Sequence, residues 1–286
     1  MFKTLIEPEE LHTHLADADW AILDCRFDLA RPAWGEAAWE AGHIPNALYV
    51  HLDRDLSGAH TLSTGRHPLP AVSALAGTFA RLGIDDAVQV VAYDQSQGVY
   101  AARLWWLLRW LGHQRVAVLN GGFAAWEQAR LPVSRSRAVR APRQLRPAAA
   151  TDMLVSTTRV AAALAAGELA SADMVLVDAR SAERFAGDNE TLDAVAGHIP
   201  GARSHPFARN LDSQGRFLPV AQLRQAWERT LGGRPATAVV AMCGSGVTAC
   251  QNLLALESAG FSGARLYAGS WSEWIRDSAR AVARGA

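Results

Sequence analysis

A cysteine closes the apolar run Val239-Val240-Ala241-Met242, and Gly244-Ser245-Gly246-Val247-Thr248 follows it before a small, apolar stretch at helical spacing that reaches Leu256. The pattern predicts a strand, a tight loop and a helix start. Gly244 and Gly246 carry no Cβ and tolerate unusual φ/ψ, so the loop can curl round a single atom. Its N–H groups would then point inward at the mouth of a helix, where the dipole adds positive potential. Thiols held in such a place have pKa values of roughly 3.5–7.5. Cys243 is therefore the candidate nucleophile, and Gly244, Gly246, Val247 and Thr248 are the candidates for holding the bound group. A free cysteine is more often a small core residue. Cys25 and Cys250, in strand and helix interiors, fit that description; the Gly-Ser-Gly turn separates Cys243 from it.

The chain that must position this loop is a repeat. Asp24-Cys25-Arg26 and Asp178-Ala179-Arg180 each end an apolar run. Ala41-Gly42-His43-Ile44-Pro45-Asn46-Ala47 recurs as Ala196-Gly197-His198-Ile199-Pro200-Gly201-Ala202. Val90-Val91-Ala92-Tyr93-Asp94 recurs as Val239-Val240-Ala241-Met242-Cys243, and Gly121 to Trp126 recurs as Gly269 to Trp274. The order is the same and the offset nearly constant. From Ser134 to Thr151 the chain is rich in Arg, Pro and Ala without apolar periodicity, a linker by composition. We therefore expect an N-terminal domain over 1–135, a linker over 136–152 and a C-terminal domain over 153–286.

Each copy alternates short apolar runs with helical stretches. Strands are expected over Ala21–Cys25, Val88–Tyr93, Arg115–Leu119, Met174–Asp178, Ala238–Met242 and Ala264–Tyr267. Helices are expected over Pro8–Leu15, Ala33–Ala41, Pro70–Leu82, Gly98–Leu111 and Pro219–Thr230, from Thr157, behind the cysteine loop, and in a last short piece to Arg276. Such alternation implies an α/β fold, each domain a mostly parallel sheet with helices on both faces. Sites on such sheets lie beyond the carboxyl ends of strands, which is where Cys243 falls. The first copy has Asp94 in place of Cys243, in a loop one residue longer. A carboxylate cannot accept sulfur and would repel an anionic donor, so that copy is expected to be catalytically silent, although it can still lend side chains to the other.

The run Cys243-Gly244-Ser245-Gly246-Val247-Thr248-Ala249-Cys250 resembles the active-site loop of the rhodanese-like sulfurtransferases. It is more similar to the 3-mercaptopyruvate branch than to the thiosulfate branch, whose loop carries basic residues directly after the cysteine. The resemblance covers nearly the whole chain. It implies two tandem rhodanese-like domains with the cysteine in the second only. It also implies transfer of sulfane sulfur from a small anionic donor, 3-mercaptopyruvate or thiosulfate, to a thiol or cyanide acceptor through a Cys243 persulfide. Thioredoxin-like proteins are among the thiols this allows, and no metal or organic cofactor is required. In the mercaptopyruvate members the first domain supplies an aspartate and a histidine to a relay with a serine two residues past the nucleophile. The matching positions here are Asp53, His67 and Ser245, with a somewhat longer loop between the first two. A hydroxyl backed by imidazole and carboxylate can deliver a proton to a departing pyruvate enolate.

Arg184 matches an arginine that the family uses to bind the donor's anionic end, a task that suits a guanidinium fork. Members often carry a second such arginine further along. This chain has Asp193 there, and an acid does not hold a carboxylate, so the donor stays open between mercaptopyruvate and thiosulfate. Arg26 and Arg180 recur in both copies, as do His43 and His198, which marks them as structural.

Composition narrows the classes further. The 286 residues are 50% hydrophobic and 20% charged, an ordinary soluble globular balance with room for two cores. Lys plus Arg and Asp plus Glu are 28 each, which sets up no field for nucleic acid or a membrane surface. The first residues turn acidic at once and do not read as a secretory signal, and no run approaches the ~18 apolar residues of a membrane span. Three cysteines and no Cys-x-x-Cys pair argue for a reducing compartment, the cytoplasm. His12 and His14 lack a third metal ligand nearby, and Gly-Ser-Gly is not followed by the Lys-Ser/Thr of a phosphate-binding P-loop. A cysteine phosphatase of related fold would need arginine six positions past the nucleophile, where Ala249 stands. A persulfide carrier without turnover would use the same loop and differ only in kinetics.

Overall fold

The computed structural model describes residues 1–171 and 173–285, which fall into two compact units. The first comprises 1–58, 69–150 and 213–217; the second comprises 59–68, 151–212 and 218–286. Each unit thus contains a short segment drawn from the sequence of the other repeat.

The first unit holds, in chain order, β1 (Leu5–Ile6), α1 (Pro8–Thr13), β2 (Trp20–Asp24), α2 (Trp34–Ala41), β3 (Leu48–Tyr49), α3 (Leu52–Asp55), α4 (Val72–Arg81), β4 (Gln89–Tyr93), α5 (Val99–Trp110), β5 (Val116–Leu119) and α6 (Gly122–Gln128). Its strands form one sheet in the order β1-β5-β4-β2-β3, every neighbour pair parallel. Ile6, Leu11, Ile22, Ile44, Val91, Tyr93, Ala117, Leu119 and Trp126 form the core on one face, while α5 packs against β4 and β5. Residues 136–150 form no helix or strand but are tied to this unit. Arg140 donates to the carbonyls of Trp20 and Ala18, Arg143 pairs with Asp85, and the amides of Ala148 and Ala150 donate to Leu111 and Trp110. The composition that reads as a linker supplies here the long cations that bind helix and strand ends.

The second unit repeats the plan with α7 (Thr157–Ala165), α8 (Glu168–Ser171), β6 (Val175–Asp178), α9 (Ala182–Ala186), β7 (Arg203–Ser204), α10 (Val220–Leu231), β8 (Val239–Met242), α11 (Ala249–Ser258), β9 (Arg265–Leu266) and α12 (Ser270–Trp274). The sheet order is β7-β6-β8-β9, again all parallel. A parallel bridge from Leu154 to Leu266 stands where β1 pairs with β5 in the first unit. Val160, Met174, Leu176, Ile199, Val240, Met242, Tyr267, Trp271 and Trp274 form its core. The α/β class and the mostly parallel sheets follow the sequence pattern. The two-residue strands β1, β3 and β7 do not, because two residues are too few to show a period of two.

The same buried ion pair braces the end of one central strand in each sheet. Arg26 Nη2 lies 2.6 Å from Asp24 Oδ2 and also donates to the Gly42 carbonyl; Arg180 Nη2 lies 2.6 Å from Asp178 Oδ2 and donates to the Gly197 carbonyl. All four side chains are nearly inaccessible. His43 Nδ1 and His198 Nδ1 bond to the carbonyls of Trp39 and Phe185. These contacts explain why both repeats keep the residues.

Candidate active site

Strand β8 ends at Met242 and the next residue, Cys243, is 2% exposed. The loop that follows is pinned from two sides. The Cys243 amide donates to Ser270 Oγ at 3.1 Å, while the Cys243 and Gly244 carbonyls accept from the amides of Trp271 and Ser272 at 3.0 and 2.8 Å. Gly246 has φ +77, and a Cβ there would come within 2.3 Å of the Ala268 carbonyl, so only glycine fits. That turn brings the Gly246 N–H to Cys243 Sγ at 3.2 Å. Among the described residues, the amides of Gly244, Ser245, Val247 and Thr248 donate to no protein acceptor. Thr248 is the N-cap of α11, so these N–H groups lead into a helix N-terminus, where negative charge is favoured.

The first unit presents the same loop filled. Asp94, 1% exposed, accepts amides from Ser96, Gly98, Tyr100 and Ala101 at 3.1, 2.9, 2.9 and 3.4 Å. The cup that surrounds a sulfur in one unit is occupied by a carboxylate of the chain itself in the other.

Ser245 and His67 meet in the second unit, with Ser245 Oγ 2.7 Å from His67 Nδ1 and both residues buried. His67 arrives on the segment 59–68, which is fixed close to α12. The Arg66 amide donates to Ser272 Oγ at 3.0 Å, and a Cβ on Gly65 would lie 2.6 Å from the Gly269 carbonyl. Asp53 lies in the first unit, in the first turn of α3.

Arg184, on α9, is held by acids. Its Nε lies 3.1 and 3.0 Å from the two oxygens of Glu190, and its Nη2 lies 2.9 Å from Asp193 Oδ2. Arg66 Nη1 bonds to the other oxygen of Asp193. Glu190 also reaches Arg180 Nη1 at 3.4 Å. Acid and base therefore alternate from Asp178 through Arg180, Glu190, Arg184 and Asp193 to Arg66. The side chains are 0, 1, 2, 18, 3 and 29% exposed in that order, so the two outer arginines are the accessible ones. Burial pushes the Glu190 carboxyl up, but the hydrogen bond and charge of Arg184 and the amides of Leu192 and Asp193 outweigh it and hold it below the usual range. An ionised Glu190 keeps both neighbouring guanidiniums in register.

Asp193, as an acid, does not itself hold a carboxylate. Its carboxylate holds two cations in place, and one of them, Arg66, escaped the sequence reading. The signal was present as an arginine directly beside the candidate histidine. A larger cavity of about 730 Å³, lined by Arg203, His205, Arg209 and Arg229 among others, includes none of these residues and no cysteine. Among the described residues no group of three His, Cys, Asp or Glu converges as metal ligands would.

The rhodanese-like domain family matches residues 7–129 and 160–277. The chain belongs to the rhodanese-like family. A Pseudomonas aeruginosa relative named "Probable 3-mercaptopyruvate sulfurtransferase" is 45% identical over 283 residues, 98% of each chain. An Arabidopsis thaliana relative named "Thiosulfate/3-mercaptopyruvate sulfurtransferase 2" is 32% identical over 292 residues, 94% of this chain and 83% of its own. Among solved structures, the 3-mercaptopyruvate sulfurtransferase from Leishmania major superposes with a TM-score of 0.82 at 30% identity, over 95% of this chain and 74% of its own. The Escherichia coli protein SseA, described as a 3-mercaptopyruvate sulfotransferase, superposes with a TM-score of 0.80 at 28% identity, over 95% and 100%. Rhodanese-like architecture thus extends through both units.

Proposed function

We propose that this sulfurtransferase moves sulfane sulfur from 3-mercaptopyruvate or thiosulfate to a thiol or cyanide, with Cys243 as the carrier. The observation that supports this most directly is the Gly246 N–H on Cys243 Sγ, in a loop where the amides of Gly244, Ser245, Val247 and Thr248 have no acceptor among the described residues. Such donors suit the outer sulfur of a persulfide once it forms.

The Cys243 thiolate attacks the donor's sulfur and a Cys243 persulfide results. With mercaptopyruvate the C–S bond breaks and its electron pair leaves on carbon as the enolate of pyruvate, which needs a proton. The Ser245 hydroxyl, backed by His67, is the group assigned to deliver it. With thiosulfate the S–S bond breaks and sulfite leaves as a stable anion, needing no proton. A thiolate or cyanide then attacks the outer sulfur, forms a new persulfide or thiocyanate, and returns the Cys243 thiolate. The Ser245–His67 contact at 2.7 Å favours mercaptopyruvate.

In the first unit Asp94 takes the place of the thiol, so that unit is assigned no turnover. All three cysteines are unpaired and buried, which favours a reducing compartment such as the cytoplasm and a small-thiol or thioredoxin-like acceptor. No helix among the described residues is long and apolar enough to cross a membrane.

Steady-state kinetics with the two donors side by side, with the intact mass of the donor-treated protein, test the proposal. Turnover with at least one donor and a one-sulfur mass gain lost in Cys243→Ser are expected. A stable mass gain without repeated turnover would instead identify a persulfide carrier.

A further inference from the structure

Arginine collects along one edge of the second unit, in the cavity of about 730 Å³ between β7 and α10. Gln222, Gln225, Ala226, Arg229 and Thr230 reach it from one face of α10, at the spacing that puts helix residues side by side. Leu223, Trp227 and Leu231 are the buried stripe of that helix. Arg203 enters from β7, and Arg209 from the turn that follows. The lining thus holds three guanidiniums and no carboxylate. None of the three pairs with an acid among the described residues: Arg203 Nη1 donates to the Thr230 and Leu231 carbonyls at 2.7 and 3.1 Å, and Arg229 turns Nε and Nη2 to Gln225. Arg224, on the same helix, does have its acid, Glu228 at 3.3 Å.

The fold does not require these charges. In the first unit Leu23 and Asp24 pair with Leu48 and Tyr49; in the second, Val177 and Asp178 pair in the same way with Arg203 and Ser204. An edge strand that forms with leucine and tyrosine needs no cation for its pairing. Beneath the arginines the floor is fixed. His205 Nδ1 lies 2.7 Å from Thr230 Oγ1 and its Nε2 donates to Asn210 Oδ1, while Asn210 Nδ2 donates to Gln251 Oε1 at 2.9 Å and Asn252 Oδ1 at 2.7 Å. These buried bonds hold the end of β7, α10 and α11 in register. An adjoining cavity of about 470 Å³ shares Arg203 and Arg209 and is also lined by Glu183 and Asp188. An anion is therefore favoured on the α10 side, where no acid lines the wall.

We propose that this edge binds a small molecule bearing phosphate, with Arg203, Arg209 and Arg229 as its charge partners and Gln222 and Gln225 as neutral hydrogen-bonding groups. The site is separate from the cysteine loop, none of whose residues lines it, and it does not depend on sulfur transfer. Guanidinium forks match phosphate oxygens in pairs. Three of them with no counter-charge create a positive potential that suits a ligand with more than one negative charge. The cavity is larger than a single oxyanion fills, and the two amides can meet the hydroxyl or ring groups of an attached organic part.

The test is calorimetric titration of the full chain with pyrophosphate at constant ionic strength. Citrate serves as a polycarboxylate control, and ADP and a hexose bisphosphate serve as two organic phosphates. One saturable pyrophosphate site is expected, and the tighter of the two organic phosphates identifies the attached group. The double variant Arg209→Gln/Arg229→Gln should weaken pyrophosphate on the order of tenfold or more. Both side chains are exposed, so thermal melting should stay like wild type. Arg184→Ala, beside the cysteine loop, should leave the affinity unchanged. Absence of saturable binding overturns the proposal. So does binding that survives in a double variant melting like wild type, or binding lost in Arg184→Ala instead. Citrate binding as tightly as pyrophosphate would refute phosphate as the ligand class.

Discussion

His67 Nδ1 stands 2.7 Å from Ser245 Oγ, although 178 residues separate the two along the chain. The histidine is in the sequence of the first repeat but in the compact unit of the second, so its ring and the hydroxyl beside the candidate nucleophile belong to one packed body.

That pair separates the two donors. Ser245→Ala and His67→Gln should each lower kcat for 3-mercaptopyruvate by roughly 10²-fold or more, the range for loss of a proton-transfer group. Thiosulfate, which releases sulfite, should lose much less. Parallel kcat measurements with both donors check this; an equal loss would mean that the pair orders the loop rather than moves a proton.

The turn at Gly246 has no tolerance for a side chain. Gly246→Ala places a methyl against the Ala268 carbonyl at a φ of +77, so the loop must open or the helix shift. We expect a cost of roughly 1–3 kcal/mol and loss of persulfide formation, read by urea denaturation and by mass after donor treatment. Retained sulfur loading would show that the amide cup is dispensable.

In the first unit, Asp94→Ala should leave four amides without their acceptor, those of Gly98 and Ala101 buried and those of Ser96 and Tyr100 partly so. An orphaned buried donor costs about 1–3 kcal/mol, and partial access of water should keep the total for four near the upper end. Chemical denaturation gives the number. Sulfur loading at Cys243 should persist in whatever fraction stays folded, because the charge removed lies in the other repeat's loop.

His205 gives the protein an acid limb of its own. Its ring is 1% exposed, with Nδ1 2.7 Å from Thr230 Oγ1 and Nε2 3.2 Å from Asn210 Oδ1. Burial first, and then the charge of Arg209, push its pKa down to about 4, against the hydrogen bond that Nε2 donates to Asn210 Oδ1. The folded pKa lies below the unfolded one, so between these values the unfolded chain binds the extra proton. Stability is then complete above about pH 6.5 and declines as pH falls towards 4, by up to about 3 kcal/mol from this group. His205→Gln should flatten that limb. Urea midpoints of both proteins at pH 7 and pH 4.5 measure the difference; identical slopes would remove His205 as the cause.

The repeat, the parallel α/β class and the cysteine loop could be read from the chain because each is written in neighbouring residues. An apolar run of four or five residues, a Gly-Ser-Gly turn and a recurring Ala-Gly-His-Ile-Pro are local patterns, and local patterns fix strand ends, loop shape and helix starts. The acid at the nucleophile's position in the first repeat was legible in the same way.

What needed the folded chain was every contact made at a distance. Asp193 alone reads as a missing cation; only packing shows Arg66 on its other oxygen, 127 residues away. The segment 59–68 carries no helix longer than a turn and no apolar period, so nothing in its composition says which sheet it will accompany. That was decided by backbone contact, the fit of Gly65 against Gly269 and the Arg66 amide on Ser272. A side chain's reach is a few ångströms, and which charges fall within it is a property of packed surfaces rather than of sequence spacing.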